Sequence, residues 1–236
     1  MDKKIIIGHI FKEQLNRYGD SGNIFALKAG LEERGLFYEI REYSLNEELI
    51  LDDIDILFLG NGDSRWKKLI LDYLKDYKNK LKEYLEAGNV LLATGTSYYF
   101  LGDYWEKKEE KIPGLGLLEL KVEELPGKSL EEVVLESSLE GKRSYITGFL
   151  ENDKIENHNY EFLGKIIKGS KPRKEGLIYK HLIGTGLLGP ALIYNKELCD
   201  LLIKWSSQKK FPGRFKFIKN PLEIKYKRKK HSLKNV

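Results

Sequence analysis

Cysteine is nearly absent from these 236 residues: Cys199 stands alone. A single thiol excludes an internal disulfide framework and suits a reducing compartment. No apolar run approaches the roughly 18 residues that a membrane-spanning helix needs. The first residues, MDKKIIIGHIF, are too short and too strand-like for a signal peptide, so a cytoplasmic location is the expectation. Proline- or serine-rich linkers are missing, as are internal repeats, and nothing marks a second core. Over most of the chain an excess of one charge is missing too. The formal net charge is +5, yet Lys219 to Val236 alone carries six Lys and one Arg against one Glu. What precedes it is close to neutral. With no basic stripe interleaved with aromatics elsewhere, nucleic-acid binding is not expected. The tail itself could contact nucleic acid, an anionic membrane surface or an acidic partner, or simply stay solvated.

What is there is a chain rich enough in apolar residues, at 41%, to bury one sizeable core. The expected division is one domain over residues 1–207 and a basic tail over 208–236. Ile5 to Ile7 reads as a buried first strand, followed by the small-residue loop NRYGDSGN. Ile24, Leu27 and Leu31 recur at helical spacing up to Gly35, and LFYEIREY then reads as a second strand. Strand, helix, strand in that order points to an α/β protein with a mostly parallel central sheet and helices on both faces. IDILFLG reads as a third strand ending in GNGD. Trp66 to Leu85 carries the pattern of one long amphipathic helix, closed by Gly88. Beyond Gly102 the pattern loosens into a loop with an irregular edge region. Strands are expected at Arg143 to Phe149 and Glu175 to Leu182, and a closing helix from Leu192 to Trp205.

The stretch NVLLATGTSYYFLG, Asn89 to Gly102, has the shape of a nucleophile elbow. A buried strand breaks at small residues and re-enters a helix, which would expose one side chain at the carboxyl end of the sheet beside a backbone N–H. The residue at the bend is Gly95, which has no side chain to expose.

Four motifs in order give the chain a resemblance. YGDSGN (Tyr18 to Asn23) is similar to a YGDxGN motif, LGNGD (Leu59 to Asp63) to LGGGQD, LATGTSYYFLG (Leu92 to Gly102) to LAxCGGYQxLG, and GTGLLGP (Gly184 to Pro190) to GTYxHGP. With the GF at Gly148 and the LGK at Leu163, the likeness runs from about Ile5 to Trp205. The sequence thereby resembles the class I glutamine amidotransferases of the cobyric-acid-synthase-like (CobB/CobQ-like) group, and among them the glutaminase subunits of lipid II isoglutaminyl synthases. The resemblance implies a flavodoxin-like amidotransferase fold, no cofactor and no metal, and a Mur-ligase-like ATP-dependent partner that receives ammonia for amidation of a peptidoglycan precursor. In such enzymes a cysteine thiolate attacks the carboxamide of glutamine, a histidine moves the proton, and backbone N–H groups hold the oxyanion.

Both indispensable side chains are replaced. Gly95 occupies the cysteine position and Leu188 the histidine position, so the expectation is a catalytically degenerate subunit that scaffolds or regulates its partner. The backbone parts of the site would remain. Gly62 and Thr96 are expected to contact a small carboxylate or amide such as glutamine or glutamate, with Asp20 at the carboxyl end of the first strand. Asn23 is expected in a turn that starts the first helix. Two alternatives stay open. Thr94, Thr96 or Ser97 could act as a displaced nucleophile if one of His9, His158, His181 or His231 lay within reach, or the chain could be a flavodoxin-like module that binds an unrelated small ligand. Cys199, in NKELCDLLI, reads as a core residue of the closing helix.

Overall fold

The segment IIIGHI forms β1 (Ile5–Ile10), and every one of its residues is buried. A strand with no solvent-facing side must be covered twice, and the remaining chain supplies both covers. In the computed structural model, residues 3–63, 65–107, 110–127, 129–151 and 154–211 are described; the basic tail from 212 onward, with His231, lies outside the described residues. After β1 come α1 (Gly22–Glu32), β2 (Tyr38–Tyr43), β3 (Ile56–Leu59), α2 (Lys67–Asp76), α3 (Lys78–Glu86), β4 (Val90–Thr94) and α4 (Thr96–Phe100). A β-rich stretch follows: β5 (Tyr104–Lys107), β6 (Glu110–Pro113), β7 (Lys121–Glu124), β8 (Leu130–Leu139), β9 (Lys142–Glu151), β10 (Lys154–Asn157), β11 (Gly164–Lys168), β12 (Lys174–Glu175), β13 (Leu177–Tyr179) and β14 (Leu182–Thr185). The described chain ends in α5 (Ala191–Tyr194) and α6 (Lys196–Lys210).

The main sheet has six strands in the order β13-β14-β4-β3-β1-β2, parallel except for the β13–β14 hairpin. Successive side chains on its strands point to opposite faces. Ile5, Ile7, Ile56, Phe58, Val90 and Leu92 therefore enter one core with Leu27 and Leu31 of α1 and Leu202 and Ile203 of α6. Ile6, Ile10, Leu57, Leu59, Leu91 and Ala93 enter the other with Ile70 and Leu74 of α2 and Leu81 and Leu85 of α3. Two smaller four-stranded sheets, β10-β7-β5-β6 and β12-β11-β8-β9, complete the molecule. Val133, Leu135 and Ile146 join the α1/α6 core, so the second of these sheets packs on that side. Among the described residues no helix is long and apolar enough to cross a membrane.

The structure departs from the sequence reading at four places. The long helix expected over Trp66 to Leu85 is broken at Tyr77 (φ −101°, ψ 5°). There the ring stacks on Tyr73 at 5.0 Å and the hydroxyl accepts the Leu49 N–H at 3.2 Å. The expected closing helix is broken at Asn195, whose side chain accepts the Thr147 N–H and donates to the Thr147 carbonyl, both at 2.8 Å. Beyond that break α6 continues through Lys210, and Phe211 is buried against the same core. The strand expected from Glu175 to Leu182 is a hairpin that turns at Lys180 (φ 54°). The irregular edge after Gly102 is the small sheet containing β5, β6 and β7.

Candidate functional site

The register of the main sheet brings four chain turns to one edge. Leu59 lies opposite Ala93, and Thr94 opposite Thr185, so the loops that leave β3, β4 and β14 emerge side by side. The loop after β1 joins them, since Asp20 accepts the Asn61 N–H at 2.9 Å. This is the carboxyl edge of a parallel sheet, where crevices form because adjacent loops diverge. The crevice here has a volume of about 230 Å³, and Asn61, Gly62, Gly95, Thr96, Gly186 and Leu188 are among the residues that line it. Arg17, Lys67, Lys154, Glu124 and Glu151 contribute charge to its walls. Lys154 lies 3.5 Å from both Glu124 and Glu151, and the Lys67 ammonium sits 3.3 Å from the centre of the Trp105 ring.

Gly95 makes the bend between β4 and α4 with φ 53° and ψ −126°, a conformation costly to any residue with a side chain. Its N–H donates to the Thr185 carbonyl at 2.8 Å, which ties the bend to the loop after β14. A Cβ on Gly95 would lie 2.4 Å from Asn61 Oδ1 and 2.6 Å from Asn61 Cγ, far inside contact distance. The same Oδ1 accepts the Thr96 N–H and the Thr96 hydroxyl, each at 2.8 Å. The backbone donor that follows the bend is thus satisfied from within the protein.

The structure places the sequence-predicted residues in two groups. Gly62, Gly95, Thr96 and Leu188 share the crevice. Asp20 lies beneath it, wholly buried, and accepts from the Asn61 N–H, the Thr94 hydroxyl and the Tyr18 N–H. Burial raises the Asp20 carboxyl above its ordinary value, and these donors pull against that rise. Asn23 is buried in the first turn of α1, with its Nδ2 donating to Gly189 O at 3.1 Å and its Oδ1 accepting the Leu192 N–H at 2.9 Å.

None of the three hydroxyls near the bend faces a histidine among the described residues. Thr94 donates to Asp20, Thr96 to Asn61, and Ser97 to the Gly60 carbonyl at 2.6 Å. His9 lies on β1 beside Phe58, where burial pushes its pKa down to about 4 and keeps it neutral. His158 packs on Phe162 at 4.2 Å and is likewise lowered by burial. His181 Nδ1 lies 2.6 Å from the Gly88 carbonyl, with its ring stacked on Trp205. Burial on α6 pushes the Cys199 thiol up to about 12, as an inert core residue requires. Leu188 donates its N–H to Phe149 O at 2.9 Å and presents an apolar side chain to the crevice. Among the described residues no group of three or more His, Cys, Asp or Glu could hold a metal ion.

Sequence reasoning misses Asn61. The signal is in LGNGD, where the resembling motif has a glycine, but its meaning depends on a neighbour 34 residues away that only the fold supplies. It also misses Glu156 and Glu175, two buried carboxyls behind the crevice. Glu175 accepts the Gly186 N–H at 2.6 Å and the Thr185 hydroxyl, while Glu156 accepts the Gly176 N–H at 2.8 Å and the Tyr98 hydroxyl at 3.1 Å.

A parallel sheet whose central strand bends through a positive-φ residue into a short helix at the crevice floor defines an α/β scaffold with an elbow at the carboxyl edge of its sheet. The fold agrees with solved ones: PurLQS from Thermotoga maritima aligns over 88% of this chain and 99% of that chain (TM-score 0.61, 13% identity), and a glutamine amidotransferase over 85% and 98% (TM-score 0.53, 18% identity). The chain belongs to the family defined by the CobB/CobQ-like glutamine amidotransferase domain, whose family model matches residues 6–192. Within it the chain is similar to the lipid II isoglutaminyl synthase (glutamine-hydrolyzing) subunit GatD of Staphylococcus aureus, at 33% identity over 95% of this chain and 93% of that protein. It is also similar to the subunit of the same name from Streptococcus pneumoniae, at 26% identity over 87% and 81%. The expected flavodoxin-like class I amidotransferase architecture is the one found.

Proposed function

We propose that this chain is a GatD-type subunit that has lost glutamine hydrolysis and serves a Mur-ligase-like, ATP-dependent partner as scaffold or regulator during amidation of a peptidoglycan precursor. The partner would then draw on free ammonia, or perform a ligation that needs no amide donor. One observation carries the reading: at the bend where a thiolate would attack stands Gly95, with the Asn61 carboxamide in the space of the absent side chain. Amide cleavage needs a nucleophile and a base acting as a unit, and loss of either removes most of the rate. Leu188, on the adjoining wall of the crevice, offers no base.

The crevice keeps the shape and backbone polarity to take a small carboxylate or amide, glutamine or glutamate, against Gly62 and Thr96. Asp20 acts on that ligand only through Asn61 and Thr94, which it positions. The long match to subunits of a named synthase supports the existence of a partner, and a single buried cysteine suits work in the cytoplasm. The decisive assay incubates the purified protein, alone and with its partner, with L-glutamine and measures ammonia. Release at the level of a mock preparation is expected; release well above it overturns the proposal.

A further inference from the structure

The carboxamide of Asn61 meets the crevice floor as an incoming ligand would. Its Oδ1 sits on the Thr96 N–H, the donor directly after the bend, and on the Thr96 hydroxyl. Its Oδ1, Cγ and Cβ all lie within 2.8 Å of where a Gly95 Cβ would stand, so it fills the volume that the glycine leaves empty. The residue is 4% exposed, and its own backbone N–H is fixed on the buried Asp20. An amide or carboxylate oxygen from solution would need the same donor, because backbone N–H groups at such a bend are directed into the crevice.

We propose that Asn61 is the gate of this crevice: an internal carboxamide that a ligand carboxamide or carboxylate must displace from the Thr96 N–H in order to bind. This rests on the reading of the crevice as a non-hydrolytic ligand site. Asn61 and Gly95 then form a reciprocal pair, since the carboxamide fits only while position 95 has no side chain. Occupancy of the crevice is coupled to the rotamer of Asn61, while the backbone at Asn61 stays tied to the loop after β1 by its N–H on Asp20.

Two measurements test the gate. The first compares the affinity of the native protein and of Asn61→Ala for L-glutamine and L-glutamate by titration calorimetry, with circular dichroism to verify the fold. Removal of the competing carboxamide is expected to raise affinity for at least one of them on the order of tenfold. Equal affinity, or no binding by either protein, overturns the gate. The second is a thermal-melting cycle over Asn61→Gly, Gly95→Ala and the double variant. Gly95→Ala is expected to lower Tm much less when Asn61 is Gly than when it is Asn. Equal cost in both backgrounds overturns the pairing and the gate with it. If Gly95→Ala fails to fold alone, recovery of a folded double variant is the supporting result, and failure of both overturns it. Ammonia release by the native protein would contradict the loss of hydrolysis, whereas the affinity ratio and the cycle bear on Asn61 alone.

Discussion

At position 95 the backbone holds an angle that a side chain would strain by something on the order of 1–3 kcal/mol. In an enzyme with a nucleophile there, that strain is part of the machinery; with glycine it is relieved, and the bend persists because the Thr185 carbonyl holds the Gly95 N–H. On the proposed reading, a glycine here would trade chemistry for stability, a common direction when catalytic demand is removed. The same geometry constrains how a nucleophile could be introduced. Gly95→Cys with Leu188→His places a thiol and an imidazole on one crevice, yet the new Cβ collides with the Asn61 carboxamide. The expected outcome is weak ammonia release at best from that double variant, and release at least about tenfold higher once Asn61→Gly is added, since the added change both frees the Cβ space and vacates the oxyanion donor. Equal activity of the two variants, measured by coupled ammonia assay, would show that Asn61 yields freely. Gly95 and Leu188 at the positions of the resembling motifs' cysteine and histidine are legible in the sequence because Leu101–Gly102 on one side, and the GT and GP of GTGLLGP on the other, fix the alignment. Asn61 is not, because a one-residue change in a turn motif has no meaning until the opposing backbone is known.

Elements meet at the site through a few buried side chains, and Asn23 is the clearest. It donates to Asp20 O and Gly189 O and accepts from the Leu192 N–H, so one amide joins the start of α1 to the loop carrying Leu188 and to α5. The close approach is possible because Gly22 has no Cβ, which would otherwise lie 2.5 Å from the Pro190 ring. Asn23→Ala leaves the buried Leu192 N–H without its partner and removes two further hydrogen bonds, although Asp20 O keeps the Asn23 N–H and Gly189 O keeps the Ala191 N–H, at a cost of roughly 2–3 kcal/mol. For a chain of this size that is a fall of about 4–12 °C in Tm, read by thermal melting; a shift under about 1 °C would mean the loop is held by other contacts. The reading of Asn23 as a turn residue thus identifies the place and misses the long-range tie. The same division runs through the fold. β1, β3 and β4 are legible because strands buried on both faces are continuous apolar runs. The breaks at Tyr77 and Asn195 are not, because neither carries a glycine or proline and each is made by a partner far along the chain, Leu49 and Thr147. Short, half-exposed strands such as β6 and β7 lack a period long enough to recognise, and only their pairing defines them.

Across the whole molecule, the three sheets converge on a pair of buried carboxyls. Glu156 belongs to β10, Glu175 to β12, and the Thr185 and Gly186 groups that Glu175 holds belong to the end of β14. Tyr98 reaches the same point from α4, so the bend at Gly95 and the sheet junction are linked through one short helix. Burial, with repulsion from Glu175, pushes Glu156 up to about 8, and burial pushes Glu175 up to about 7. At neutral pH at least one of the two therefore keeps its proton. The folded chain holds these protons above the ordinary glutamate value of 4.5, where the unfolded chain has released them. Their contribution to stability is fully present below that value and is lost as pH rises through about 7 and then about 8. His9, lowered by burial to about 4, works in the opposite sense and loses stability on acidification, so the native curve alone mixes the two. Glu156→Gln separates them: it keeps an oxygen for the Gly176 N–H and the Tyr98 hydroxyl but has no proton to lose. Its Tm should match the native protein near pH 5 and exceed it by several degrees near pH 8.5, at about 2–4 °C per kcal/mol. A difference that stays constant across that range would mean the pair titrates alike in the folded and unfolded chain, and the sheet junction would have to be held without a shared proton.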